Sequence, residues 1–299
     1  MRSSTIYFIS DSEKTIRLYR TELLEQLRIK HDVNLVFIGQ WIKLIRLCFQ
    51  RNTFVISSNL RANLLTLLFP FTRKVVILNG LGRFKTSRLF RRFLIILLNS
   101  QKNISLVCQN YQDYRYFRRA SKVSITFIMG SGGVSFNRRE GGEKFVQDEP
   151  SIVVSRDSKI DLQIDCIREY LRLDSRKLLV IGLADTSLVS IVGASACGWL
   201  NREQIFSSYR RIFHPSGYGE GFPHVLADAF CNGFEVTISK RDYINYGLYK
   251  CALEYTRLGD FFVINSFNCD YSWLAVEIVN REYLDVITNA FGEGITDAV

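Results

Sequence analysis

Two acids, two cations and a set of glycines carry the residue types and spacing to hold a phosphorylated, hydroxyl-rich ligand. Residues 212–233 read Ile-Phe-His-Pro-Ser-Gly-Tyr-Gly-Glu-Gly-Phe-Pro-His-Val-Leu-Ala-Asp-Ala-Phe-Cys-Asn-Gly. Pro215, Gly217, Gly219, Gly221 and Pro223 forbid regular structure and let backbone N–H groups turn toward a ligand. Pro223 suits the first turn of a helix, Val225, Leu226, Ala229 and Phe230 recur at helical spacing, and Gly233 is a natural stop. A helix tip behind a glycine loop is a ready site for a diphosphate. Glu220 in the loop and Asp228 eight residues on are acceptors of the kind that grip sugar and ribose hydroxyls; the bland reading is a solvated loop glutamate and a helix-surface aspartate. Arg156 and Lys159 follow an apolar run, and a guanidinium and an ammonium at the end of a strand suit two phosphates, or are a pair of surface cations. Gly80 and Gly82 also follow a strand, where they allow close backbone approach to a ligand or form an ordinary strand-to-helix turn.

The elements that must position these residues alternate in type. Short buried strands are expected at 5–9, 33–38, 53–57, 74–78, 105–109, 125–129, 151–155, 177–182, 212–213, 235–239 and 261–264, with the run 33–38 apolar enough for a buried parallel strand. Helices are expected from a Ser10 or Ser12 cap through residue 27, and at 60–68, 83–98, 161–172, 202–209, 223–232 and 271–290. The polar, glycine-bearing stretch 138–150 reads as a linker between a first domain, 1–137, and a second, 151–299, whose last helix can pack back on the first. The expected fold class is α/β, two doubly wound parallel-sheet domains.

The chain has 299 residues, room for two ordinary domains, with 47% hydrophobic residues for a substantial core. Its formal net charge of +10 favours an anionic partner. Seven cysteines without a Cys-x-x-Cys pair, and three histidines, argue against a zinc site or a disulfide framework and fit a reducing compartment. The N-terminal apolar run is too short for a signal peptide, and no stretch reaches the length of a membrane span. Strand 5–9 is not followed by Gly-x-Gly-x-x-Gly, which weakens a nicotinamide or flavin enzyme. Gly130-Ser131-Gly132 lacks the Gly-Lys-Ser/Thr of a phosphate loop. The segment 83–98 mixes Arg83, Lys85, Arg88, Arg91 and Arg92 with large apolar residues; it suits an anionic membrane surface, or a basic face on a helix packed against the sheet. No RNA-binding or helix-turn-helix signature supports nucleic acid as the partner.

The run Glu-Gly-Phe-Pro-His-Val-Leu-Ala-Asp-Ala-Phe-Cys-Asn-Gly resembles the Glu-x7-Glu signature of retaining GT-B glycosyltransferases, glycosyltransferase family 4, with Asp228 in place of the second Glu and Asn232 inserted before Gly233. Asn79-Gly80-Leu81-Gly82, Gln109-Asn110 with Asp113 and Phe117, and Gly130-Ser131-Gly132 are similar to the motifs of that family's O-antigen and capsule enzymes. Arg156 matches the family's arginine; Lys159 stands two residues earlier than the family's lysine. The resemblance implies two Rossmann-like domains facing a cleft and a metal-independent hexosyltransferase that needs no cofactor. It implies a nucleotide-diphosphate sugar as donor and a polyprenyl-linked oligosaccharide as acceptor, at the cytoplasmic face of a bacterial membrane. Arg156 and Lys159 would hold the diphosphate, Glu220 the sugar hydroxyls, Gly221 and Phe222 sugar and phosphate through their backbone, Asp228 the ribose, and Gly80 and Gly82 the diphosphate from the first domain. A competing expectation is a catalytically degenerate protein of the same fold acting as an assembly partner at the membrane.

Overall fold

The structure is a computed structural model; it describes residues 5–50, 53–69, 71–135, 149–185, 187–191, 193–266 and 270–292. The chain divides into two compact units: Met1–Gly133 with Gly219–Phe222 and Trp273–Val299, and Val134–Tyr218 with Pro223–Ser272. Most of the expected linker, 138–148, lies outside the described residues.

In the first unit, β1 (Thr5–Ser10), α1 (Glu13–Tyr19), α2 (Thr21–Lys30), β2 (Asp32–Phe37), α3 (Trp41–Phe49), β3 (Phe54–Ser58), α4 (Leu60–Thr66), β4 (Arg73–Leu78), α5 (Arg88–Asn99), β5 (Ile104–Cys108), α6 (Tyr111–Ala120) and β6 (Ser124–Phe127) follow in order. Their sheet is parallel throughout, in the order β2-β1-β3-β4-β5-β6. Residues alternate between its faces. Phe8, Ile56, Val75 and Ile77 pack under α1, α2 and the closing helix of the chain; Ile9, Val55, Val76 and Leu106 face the other way, under α3, α4 and α5.

Three expectations are corrected here. The helix expected to run through residue 27 is two, broken at Arg20, whose backbone leaves the helical region. The basic helix at 83–98 is a 3-10 turn, Gly82–Thr86, and then α5, because the Ser87 side chain accepts the Phe90 N–H and restarts the helix. The apolar strand at 33–38 is β2, on the sheet edge and half exposed, rather than buried.

In the second unit, β7 (Ser151–Val154), α7 (Asp157–Leu173), β8 (Leu178–Ile181), α8 (Ser187–Ile191), β9 (Ser195–Ala196), α9 (Arg202–Ser208), β10 (Arg211–His214), α10 (His224–Cys231), β11 (Glu235–Ser239), α11 (Lys240–Asn245), β12 (Thr256–Leu258) and β13 (Phe261–Asn265) build a sheet in the order β12-β13-β11-β10-β7-β8-β9. It is parallel from β11 to β9, with β13 and β12 added antiparallel at one edge. Ile160, Gln163, Ile167 and Tyr170 recur at helical spacing and bury one side of α7, where Tyr170 stacks on Phe213 at 4.1 Å. α7 begins at Asp157, four residues earlier than expected. The last helix, α12 (Val276–Phe291), belongs to the first unit: Val279, Tyr283, Ile287 and Phe291, four residues apart, bury into the core beneath α2.

Candidate functional site

In an open parallel sheet, ligands settle at the carboxyl ends of strands where the winding reverses. In the second unit that point lies between β7 and its neighbour β10. Arg156 stands two residues after the end of β7 and is the residue before α7; Lys159 is in the first turn of that helix. The loop after β10 is seated on α7. Gln163 Nε2 donates to the Pro215 carbonyl at 3.2 Å and the Ser216 N–H reaches Cys166 Sγ at 3.3 Å. Gly217, at φ +132°, leaves no room for a side chain: a Cβ there would stand 1.9 Å from the Leu162 carbonyl oxygen. This seating carries Tyr218 over Lys159, whose Nζ lies 5.0 Å from the ring centroid.

Two cations at the N-terminal end of a helix oppose its dipole, which favours negative charge there. Burial, and after it the Arg156 charge, push the Lys159 ammonium down to about 7. Between them, Asp157 turns its carboxylate to the N–H groups of Ala184 and Asp185, each at 3.1 Å, tying down the β8–α8 loop. The result is a cationic seat at a helix N-terminus, which suits an anion such as a diphosphate.

Asp228 is 4% exposed and turned inward on α10. One of its oxygens accepts from Arg202 Nη2 at 2.6 Å, and His224 Nε2 lies 3.8 Å from the same oxygen. Burial raises the Asp228 carboxyl above its ordinary value, against the opposing pull of His224 and Arg202. Arg202 was not singled out from the sequence. The available signal was the Asn201-x-x-Gln204 capping box that fixes where α9 starts, with Asn201 accepting the Gln204 N–H at 2.8 Å and Gln204 accepting the Asn201 N–H at 2.9 Å. Asn232, the inserted residue, bonds back to the Asp228 carbonyl at 2.8 Å.

Glu220 lies in the first unit, on Gly219–Phe222, at the carboxyl ends of β4 and β5. Two Gly-x-Gly segments interlock there, running in opposite directions. Gly82 N–H donates to the Gly219 carbonyl at 2.8 Å and Gly221 N–H to the Asn79 carbonyl at 2.7 Å, while Asn110 Nδ2 holds the Glu220 carbonyl at 2.9 Å. A Cβ on Gly80, which has φ +94°, would come within 2.4 Å of the backbone of Gly219 and Glu220. Close neighbours thus exclude a side chain at 80, 219 and 221, and Gly82 holds φ +56°. The N–H groups of Gly82 and Gly221 are both engaged within the unit. Phe222 is buried and meets Trp273 edge-on, with centroids 6.3 Å apart. The Glu220 side chain is half-buried.

Beneath this interlock is a polar hub that the sequence did not disclose. Arg20, 1% exposed, donates from Nη2 to Asn79 Oδ1 at 3.2 Å and from Nη1 to the Ser131 carbonyl at 3.0 Å, and lies 4.9 Å from the Tyr283 ring centroid. Gln109 Nε2 and the Tyr283 hydroxyl donate to the same Ser131 carbonyl at 3.0 and 2.9 Å. The Gly130-Ser131-Gly132-Gly133 turn is a packing joint: Cβ atoms on Gly132 and Gly133 would strike the backbone of Tyr19 and Val276. Of the other motif residues, Phe117 is fully buried in the core. Burial, opposed by the charges of Arg91 and Lys85, pushes the Asp113 carboxyl up to about 6. Among the described residues no cluster of His, Cys, Asp or Glu could hold a metal ion.

Two Rossmann-like parallel-sheet units, each with its candidate groups at the carboxyl ends of its strands, define the class: this is the GT-B glycosyltransferase fold. No protein-family model matches the chain, and no curated protein matches it by sequence. The resemblance is to solved structures. Anabaena Alr3699/HepE, in complex with UDP and glucose, is 15% identical with a TM-score of 0.58, the match covering 96% of this chain and 93% of that one. WaaG, a glycosyltransferase involved in lipopolysaccharide biosynthesis, is 11% identical with a TM-score of 0.54, covering 96% and 91%. A variant of S. aureus TarM in complex with fondaparinux, alpha-GlcNAc-glycerol and UDP is 14% identical with a TM-score of 0.50. That match covers 81% of this chain and 51% of TarM, so the chain spans about half of that relative's length.

Proposed function

We propose that this chain is a retaining, metal-independent GT-B glycosyltransferase that moves a hexose from a nucleotide-diphosphate sugar to a polyprenyl-linked oligosaccharide in surface-polysaccharide synthesis. The observation that carries the reading is the cationic seat at the reversal point of the second unit, where Arg156 and Lys159 crowd the positive end of α7 beside the Tyr218 ring. As the bond from the anomeric carbon to the diphosphate breaks, its electron pair passes to the departing phosphate. Arg156 and Lys159 stabilise that charge, and binding it returns Lys159 to its ammonium form. The acceptor oxygen bonds to the anomeric carbon as its hydroxyl gives up a proton. Glu220 orients the sugar hydroxyls and Asp228, its carboxylate aligned by Arg202, accepts from the ribose. Gly80 and Gly82, with Gly221, set the Glu220 backbone. The basic, apolar α5 serves the lipid-linked acceptor by facing an anionic membrane at the cytoplasmic side. UDP in the HepE and TarM complexes supports a nucleoside diphosphate as the leaving group.

A second reading, a protein of this fold that binds a nucleotide without turning it over, is favoured by the Asp228–Arg202 ion pair, which occupies a carboxylate oxygen otherwise free for ribose. Release of nucleoside diphosphate from nucleotide sugars by the purified protein separates the two. Turnover that Glu220→Ala reduces supports transfer, whereas nucleotide binding with no turnover supports the binder. Full turnover in Glu220→Ala contradicts the role given to Glu220.

A further inference from the structure

The ion pair that joins α9 to α10 in the second unit is unevenly exposed. The Asp228 side chain is 5% exposed and the Arg202 side chain 53%. What the pair presents to solvent is therefore a guanidinium, held from behind by a buried acid. The hold is firm. Arg202 Nη2 donates to Asp228 Oδ1 at 2.6 Å, His224 Nε2 lies 3.8 Å from the same oxygen, and the capping box at Asn201 fixes where α9 begins. The other N–H groups of Arg202, and the second carboxylate oxygen of Asp228, make no hydrogen bond among the described residues.

Stability does not account for this arrangement. Arg202 is the first residue of α9, where the helix dipole disfavours a cation. Desolvation of Asp228 opposes its charge, and an ion pair whose cation is half in water contributes little. The pair is better understood as a fixed fork, with donors and an acceptor side by side. Its sign is mixed, so a phosphate drawn to the guanidinium is repelled by the carboxylate beside it. The fork suits a neutral ligand that donates at one atom and accepts at the next. Two adjacent hydroxyls do both, since each carries one donor and two acceptor lone pairs.

We infer that Arg202 is a specificity-determining residue that reads the ribose diol of the donor together with Asp228. One hydroxyl donates to Asp228 Oδ2, and the oxygen of the other accepts from Arg202. α7, α9 and α10 all begin at the carboxyl ends of their sheet, so the fork and the cationic seat share one rim of the second unit. The inference rests on the proposed function and deepens it: there the seat takes the diphosphate, Glu220 takes the sugar hydroxyls, and Arg202 only aligns Asp228. Here Arg202 binds the ligand itself.

The test is calorimetric titration of the full chain with UDP, 2′-deoxy-UDP, 3′-deoxy-UDP and inorganic pyrophosphate, with the adenosine and guanosine nucleotides run alongside. The wild type binds each ribonucleotide about tenfold more tightly than either of its deoxy forms, because each leaves one charged partner unmet. Arg202→Met loses the preference against one deoxy form and keeps it against the other, since Asp228 Oδ2 still accepts. Pyrophosphate, which has no ribose, binds Arg202→Met as it binds the wild type and shows that the variant is folded. The inference is overturned if the wild type binds UDP and both deoxy forms equally, or if Arg202→Met keeps both preferences. It is overturned equally if Arg202→Met loses both, which makes Arg202 only a support for Asp228, or if the variant loses pyrophosphate, which makes Arg202 a phosphate ligand. All four results leave the donor reading standing. A wild type that binds none of these nucleotides would overturn the donor reading and this inference with it.

Discussion

At Lys159 the local chemistry predicts its own pH dependence. Its folded value, about 7 against the ordinary 10.5, means the unfolded chain holds more protons between those values. Charging Lys159 therefore opposes folding most below about pH 7, and this deficit fades as pH rises toward 10.5. Lys159→Met should raise the melting temperature more at pH 6 than at pH 9, as scanning calorimetry would show. Nucleotide binding has the opposite dependence: a diphosphate needs the ammonium, so affinity should weaken as pH rises above about 7, with proton uptake visible as a buffer-dependent heat. Asp228 behaves as a buried acid whose value is raised. Its neutral form favours the fold, so the stability it supports falls as pH rises through its raised value. Arg202→Met removes a half-exposed partner and should cost about 1 kcal/mol at neutral pH, and less near pH 4, by denaturant titration. Glu220→Gln should lower kcat about 10²-fold with an unchanged melting temperature. Gly80→Ala places a side chain at positive φ against backbone and should cost more than about 1 kcal/mol.

At the scale of elements, periodicity and punctuation made most strands and helices readable, because a buried side chain declares itself by spacing. α7 shows the limit. Asp157-Ser158-Lys159 carries no apolar residue, so its spacing does not announce a first turn; the helix begins there with Asp157 accepting from the β8–α8 loop, a contact with no local signal. Arg20 shows the same limit for the site. Nothing beside it in sequence marks a guanidinium whose partners are Asn79 and Ser131, 59 and 111 residues away. The glycines at 80, 82, 219 and 221 were legible as sites of close approach; what approaches each pair is the other pair. Tyr283 on α12 joins helix, hub and the Gln109 side of the interlock. Tyr283→Phe should cost about 1 kcal/mol and Tyr283→Ala about 3–5 kcal/mol, measured by chemical denaturation.

For the molecule as a whole, the net charge of +10 is unevenly distributed: twelve of its 39 cations sit in an acid-free quarter of the chain, under α3 to α5, and Arg156 and Lys159 sit in the other unit. In the proposed function the two sets address different anions, a lipid surface and a diphosphate, and should respond to separate substitutions. The account depends on the second set. Isothermal titration of UDP, followed by the other nucleoside diphosphates, into the wild type and into R156A/K159M tests it most directly. The account predicts saturable binding near neutral pH that weakens above about pH 7 and falls at least tenfold in the double variant. Binding of equal strength in the double variant, or no binding of any nucleoside diphosphate by the wild type, would contradict it.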